Sequence, residues 1–148
     1  MAEAPMLDRE AIAARIPHGG RMVLLDRVLE WDARAIVCAT RSHLDPANPL
    51  REPPGLPVWA GIEYAAQAAA IHGSLLQGNA PPRIGFLASV RDANAYCERL
   101  DGIEGDLVVR ATLAHADPAG AIYDFEVLSA ARVLLTGRAA LIYAKAPA

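Results

Sequence analysis

Cysteine is nearly missing from this 148-residue chain, which holds only Cys38 and Cys97. The two are far apart, form no CxxC pair and have no histidine at ligand spacing beside them, which excludes a disulfide scaffold and a zinc site. Both read as reduced packing residues. Long hydrophobic runs are missing too: no stretch approaches the roughly 20 apolar residues that a membrane-spanning helix needs. Lysine and arginine are scattered singly in a chain of formal net charge -3, so there is no basic field to attract nucleic acid. The opening MAEAPMLDRE is too acidic for a signal or transit peptide, and the expected location is the cytoplasm. No Gly-x-Ser-x-Gly, P-loop or dinucleotide fingerprint occurs, and no two histidines have metal-ligand spacing. Aromatic residues make up 5% of a chain that is 53% apolar, so the interior should be built from small aliphatic side chains.

The length suits one domain over residues 1–148. Asp8 can cap a short helix from Arg9 to Ile16, which Pro17 then stops. After the loop His18-Gly19-Gly20, two strand-like runs, Met22 to Glu30 and Ala35 to His43, flank Asp32-Ala33-Arg34 as a hairpin. The segment Leu44 to Pro57 holds five of the eleven prolines and must be an ordered loop or lid. Then GIEYAAQAAAIHGSLLQG reads as one long helix closing at Gly78. Apolar or small residues surround it nearly all the way, as expected of a helix wrapped by other structure. Four further strands are expected, at Ile84 to Val90, Asp106 to Ala114, Ile122 to Ser129 and Val133 to Tyr143. A hairpin, one buried helix and a strand meander give an α+β fold, an antiparallel sheet curled round a single helix.

Two side chains break the apolar pattern of that helix, Glu63 and Gln67, one turn apart on the same face. A carboxylate there is costly to desolvate unless partnered or functional. One reading makes Glu63 a general acid or base, with Gln67 orienting it or bonding substrate. The other makes Glu63 a first-turn charge complementing the helix dipole. Gly61, at the helix start, would expose amide donors able to polarise a thioester carbonyl, or else is a packing glycine. Among the histidines, His18 sits in a flexible loop and suits a base. His43 reads as a polar strand-end residue, His72 as a cation or cap near the helix C-terminus, and His115 as solvated.

Ile16-Pro17-His18 followed by Met22-Val23-Leu24-Leu25-Asp26-Arg27-Val28 resembles the opening of the hotdog-fold 3-hydroxyacyl-carrier-protein dehydratases. Pro54-Gly55-Leu56-Pro57-Val58-Trp59-Ala60-Gly61-Ile62-Glu63-Tyr64-Ala65-Ala66-Gln67 is similar to that family's loop-into-helix motif. Gly105-Asp106 resembles the pair leading one of its later strands. The phrase Gly61-Ile62-Glu63-Tyr64-x-Ala66-Gln67 resembles most closely the ApeP-like branch, associated with aryl polyene lipid biosynthesis. The resemblance implies a hotdog fold, a homodimer or hetero-hotdog assembly, and an acyl thioester carried on acyl carrier protein or coenzyme A. It implies no cofactor and removal of water across the 2,3 bond.

The general dehydratase pattern places a histidine in a Gly-His-Phe-Pro-Gly loop, but the corresponding stretch here, Leu50-Arg51-Glu52-Pro53-Pro54-Gly55, has none. Glu63 also follows Gly61 three residues sooner than that pattern puts its acid. Either His18 supplies the base by converging on Glu63, or dehydration is lost and a binding or partner role remains. The expectation carried forward is the first: His18 and Glu63 catalytic, Gly61 and Gln67 binding substrate. Thioester hydrolysis and a non-catalytic subunit of a heteromeric dehydratase are the rivals.

Overall fold

The computed structural model describes residues 7–16, 19–78, 85–130 and 132–144. Helix α1 (Arg9–Ala13) starts where the Asp8 carboxylate accepts the Ala11 amide, and it ends three residues short of the expected Ile16. Strand β1 (Arg27–Trp31) and strand β2 (Ala35–Thr40) form the expected hairpin. Its turn is closed by Asp32 Oδ1, which accepts from the amides of Arg34 and Ala35.

The first strand begins five residues later than the sequence pattern predicts. The apolar run from Met22 has strand-like composition, but side chains from elsewhere satisfy much of its backbone. The Thr40 and Ser42 hydroxyls both lie 2.6 Å from the Leu24 carbonyl oxygen, and the Leu24 amide is held from the long helix. The second strand also stops early, because Ser42–Leu44 forms a 3-10 turn that carries His43 into the interior.

Helix α2 (Gly61–Leu76) is the predicted long helix, followed closely by Gly78 in the left-handed region at φ +61°. Strands β3 (Gly85–Ala95), β4 (Leu107–Asp117), β5 (Gly120–Ser129) and β6 (Arg132–Tyr143) complete one antiparallel sheet. Its order is β1-β2-β4-β5-β6-β3, and α2 packs on β2, β4, β5 and β6. This is the hotdog arrangement. Ala65, Ala68 and Ala69 are buried, and their small side chains let the sheet approach the helix axis; Ile36, Val109, Tyr123, Phe125 and Leu135 belong to the same core.

The wrapping of α2 is incomplete. A stripe through Trp59, the pair Ile62 and Glu63, Ala66, Ala70 and Gly73, recurring every three or four residues, is exposed or only half-buried. The sheet margins are unequal as well. Outside β1, Leu7 forms an antiparallel bridge to Val28, while the outer side of β3 has no partner strand among the described residues. Among the described residues no helix is long and apolar enough to cross a membrane.

Candidate active site

Gly61, Glu63 and Gln67, three of the four residues singled out in the sequence, lie in the first two turns of α2. His18 lies outside the described residues, so its position relative to Glu63 is not part of the geometry below. Glu63 is in the first turn, half-buried, with no hydrogen bond or ion pair to any described residue. Its neighbours along the open stripe are Trp59, one turn earlier and half exposed, Ile62 beside it, and Ala66. A carboxylate flanked by apolar groups and meeting no described residue is open to a ligand, a chain or the opening loop.

Gly61 does not offer the open donor expected of it. The 3-10 turn Val58–Ala60 runs directly into α2, and the Gly61 amide turns back onto the carbonyls of Val58 and Trp59. The helical geometry therefore starts before Gly61, and its N–H is spent inside the chain. The glycine is needed for packing: a Cβ there would lie 2.8 Å from Leu135 Cδ2 and 3.3 Å from Val127 Cγ2.

Gln67 is 2% exposed, and both ends of its amide are used. Its Oε1 accepts from the Leu24 amide at 2.9 Å, and its Nε2 donates to the Met22 carbonyl at 2.6 Å. Gln67 thereby fastens the segment 22–24 along α2, one turn from Glu63. It acts on the opening loop; neither amide group is held in reserve. The same segment is gripped by Arg9, whose Nη2 donates to the carbonyls of Gly20 and Val23.

His43, read as a polar strand-end residue, and His72, read as a cation or cap near the helix C-terminus, are both buried. His72 Nε2 lies 2.7 Å from the Asp32 carbonyl oxygen and its Nδ1 2.7 Å from the Tyr123 hydroxyl. A carbonyl can only accept, so Nε2 carries the proton and Nδ1 accepts from Tyr123. Burial pushes the His72 pKa below its ordinary value, opposed by the Asp32 carbonyl and charge. His43 donates from Nε2 to the Ile103 carbonyl, its Nδ1 is buried with no hydrogen-bond partner among the described residues, and burial lowers its pKa too. Both imidazoles are therefore held neutral by the fold. His115 is exposed beside Asp117, as expected. Burial pushes the Cys38 thiol up to about 12, in keeping with a packing role.

Tyr64, the residue after Glu63, anchors a polar network that the sequence pattern did not signal. Asn48 Nδ2 donates to its hydroxyl, which lies 2.8 Å from Ser42 Oγ. Because the Ser42 proton goes to the Leu24 carbonyl, Tyr64 donates to Ser42. The proline-rich segment is tied down separately: Asp101 accepts from the Leu56 amide, and its carboxylate fills the space where a Gly55 side chain would stand. No group of three or more His, Cys, Asp or Glu side chains able to hold a metal ion occurs among the described residues.

A half-buried acid on a hotdog helix narrows the family, and one comparison decides it. The family model for ApeP-like proteins, described as ApeP dehydratase, matches residues 10–147. The chain belongs to the ApeP-like dehydratase family. Curated proteins give no sequence match. Among solved structures, the dehydratase heterocomplex ApeI:P from Xenorhabdus doucetiae is similar at TM-score 0.80 and 23% identity, over 90% of this chain and 91% of that one. A thioesterase from Haemophilus influenzae reaches TM-score 0.67 at 14% identity, over 98% and 96% of the two chains. A hypothetical thioesterase with coenzyme A from Streptococcus pneumoniae reaches 0.56 at 11%, over 82% and 87%. At these identities the structures establish the shared hotdog fold.

Proposed function

We propose that this ApeP-like protein is one subunit of a cytoplasmic two-hotdog assembly that dehydrates 3-hydroxyacyl thioesters, of the kind used in fatty acid or aryl polyene biosynthesis. Glu63 is its acid. It protonates the hydroxyl leaving C3, while His18 takes the proton from C2, so that one water departs and the 2,3 double bond forms. The observation that carries this reading is the Glu63 carboxyl on the open stripe of α2, which meets no described residue. The Gln67 clamp supports the role of His18, because it pins Met22 and Leu24 a few residues beyond that histidine. Since the Gly61 amide is committed, the donor for the thioester oxygen comes from elsewhere, and a second hotdog subunit laid along β3 is the source this reading requires.

The test mixes purified protein, alone and with a second hotdog protein, with a 3-hydroxyacyl thioester on coenzyme A or on a carrier protein. Appearance of the enoyl chromophore supports dehydration; release of free thiol instead points to hydrolysis. A second reading, a subunit that stabilises an active partner without donating a catalytic group, is favoured by the missing histidine between Leu50 and Gly55. Full activity of a heteromer carrying Glu63→Gln would select it.

A further inference from the structure

A second concave site lies on the other side of Tyr64. It measures about 370 Å³ and is walled by Arg9, Arg21 and Arg41 with Asp26 and Asp45, over a floor of Ser42 and Asn48. The arginines are remote from one another in sequence and meet only because α1, the Gly20–Met22 turn and the end of β2 converge. We infer that this pocket binds a phosphate group.

The charges favour an anion. The lining carries three guanidiniums, those of Arg9, Arg21 and Arg41, against two carboxylates, those of Asp26 and Asp45, and the side chains bonded to it add one of each sign, Arg51 and Asp106. This local excess of one positive charge stands on a chain whose formal net charge is -3. The acids are also engaged in structural bonds. Asp26 Oδ2 accepts from the Arg41 amide at 2.7 Å and the Thr40 hydroxyl at 3.2 Å, and Asp45 Oδ1 accepts from the Ala47 amide at 2.8 Å. Their contacts to the pocket arginines are loose, 3.9 Å for both Arg9 to Asp26 and Arg21 to Asp45. Arg41 is tied to Asp106 only through Nε, and the Arg21 side chain is 60% exposed. Several guanidinium N–H groups are thus unspent around one hollow.

A phosphodiester monoanion matches that excess, and its free oxygens can accept from more than one guanidinium. The volume lies within the range of small-ligand sites. The floor joins the pocket to α2, because Ser42 and Asn48 are the two partners of the Tyr64 hydroxyl. The source of the phosphate rests on the thioester reading above: the pyrophosphate of coenzyme A, or the phosphodiester of a carrier protein's pantetheine arm.

Calorimetric titration of the full chain with inorganic pyrophosphate at fixed ionic strength tests the pocket. Saturable binding is expected, weakened at least tenfold by Arg21→Glu and unchanged by Arg34→Glu, which makes the same charge change at an exposed site outside the pocket. Absent binding, or equal weakening by both variants, would overturn the inference. Stronger binding of coenzyme A than of a pantetheine-loaded carrier protein identifies the nucleotide as the source, and the reverse order identifies the carrier. Dehydration without pyrophosphate binding would remove the pocket and leave the enzymatic reading standing, whereas binding without dehydration would do the opposite.

Discussion

Glu63 and His72 lie on the same helix, and the fold treats them in opposite ways. His72 is fully buried, with one ring nitrogen on the Tyr123 hydroxyl and the other on the Asp32 carbonyl. Glu63 stands half in solvent among Trp59, Ile62 and Ala66, and no described residue meets its carboxyl. A polar group on an apolar helix is structural when the fold completes its bonds, and open to function when the fold leaves them unmade. Both are ionisable side chains on an alanine-rich helix, and only the tertiary structure tells their surroundings apart.

The sharpest way to break this contrast is to neutralise each residue in turn. Glu63→Gln should lower the dehydration rate by 10²-fold or more, the usual worth of a positioned acid, with a thermal midpoint within 2 °C of wild type. A large loss of stability instead would show that Glu63 is structural. His72→Ala should do the reverse. It empties a buried site and orphans the Tyr123 hydroxyl, costing about 3 kcal/mol in urea unfolding, and a cost under 1 kcal/mol would refute the structural assignment.

Gln67→Leu comes next. It strands the Leu24 amide and the Met22 carbonyl, for a loss of about 2 kcal/mol. If the clamp also positions His18, turnover should fall while thioester binding persists, which a comparison of kcat with KM reads directly.

The smallest effect is on pH dependence. His72 and His43 have folded pKa values below the unfolded value of about 6.5. In acid the unfolded chain therefore binds more protons than the native one, and stability is complete above that value and declines as the pH falls below it. Urea midpoints at pH 8 and pH 5.5 should differ in that direction, and His72→Gln should flatten the difference. A rise in stability on acidification would contradict the neutral, buried imidazoles.

Much of this was legible in the amino-acid order. The α2 boundaries, the hairpin at Asp32 and the sheet around one helix follow from period, glycine and proline. The acid at Glu63 was legible because a charge in an alanine-rich helix stands out. The run from Met22 misled because a strand-like composition cannot reveal that a glutamine more than forty residues away will satisfy the backbone. His72 misled for the same reason, since Tyr123 is 51 positions downstream. The Gly61 amide was misjudged because the 3-10 turn before it is too short to leave a periodic signal. The arginine-lined hollow had no linear signature at all, being assembled from elements that meet only in three dimensions.

The unequal sheet margins bear on how large an assembly this chain can build. Leu7 bridges Val28 outside β1, whereas the outer side of β3 has no partner strand among the described residues, so β3 is the more open flank for pairing with another molecule. A sheet more open on one flank than on the other favours a single neighbour. Were two such molecules to join along β3, the flanks left outermost would be the ones that Leu7 partly covers.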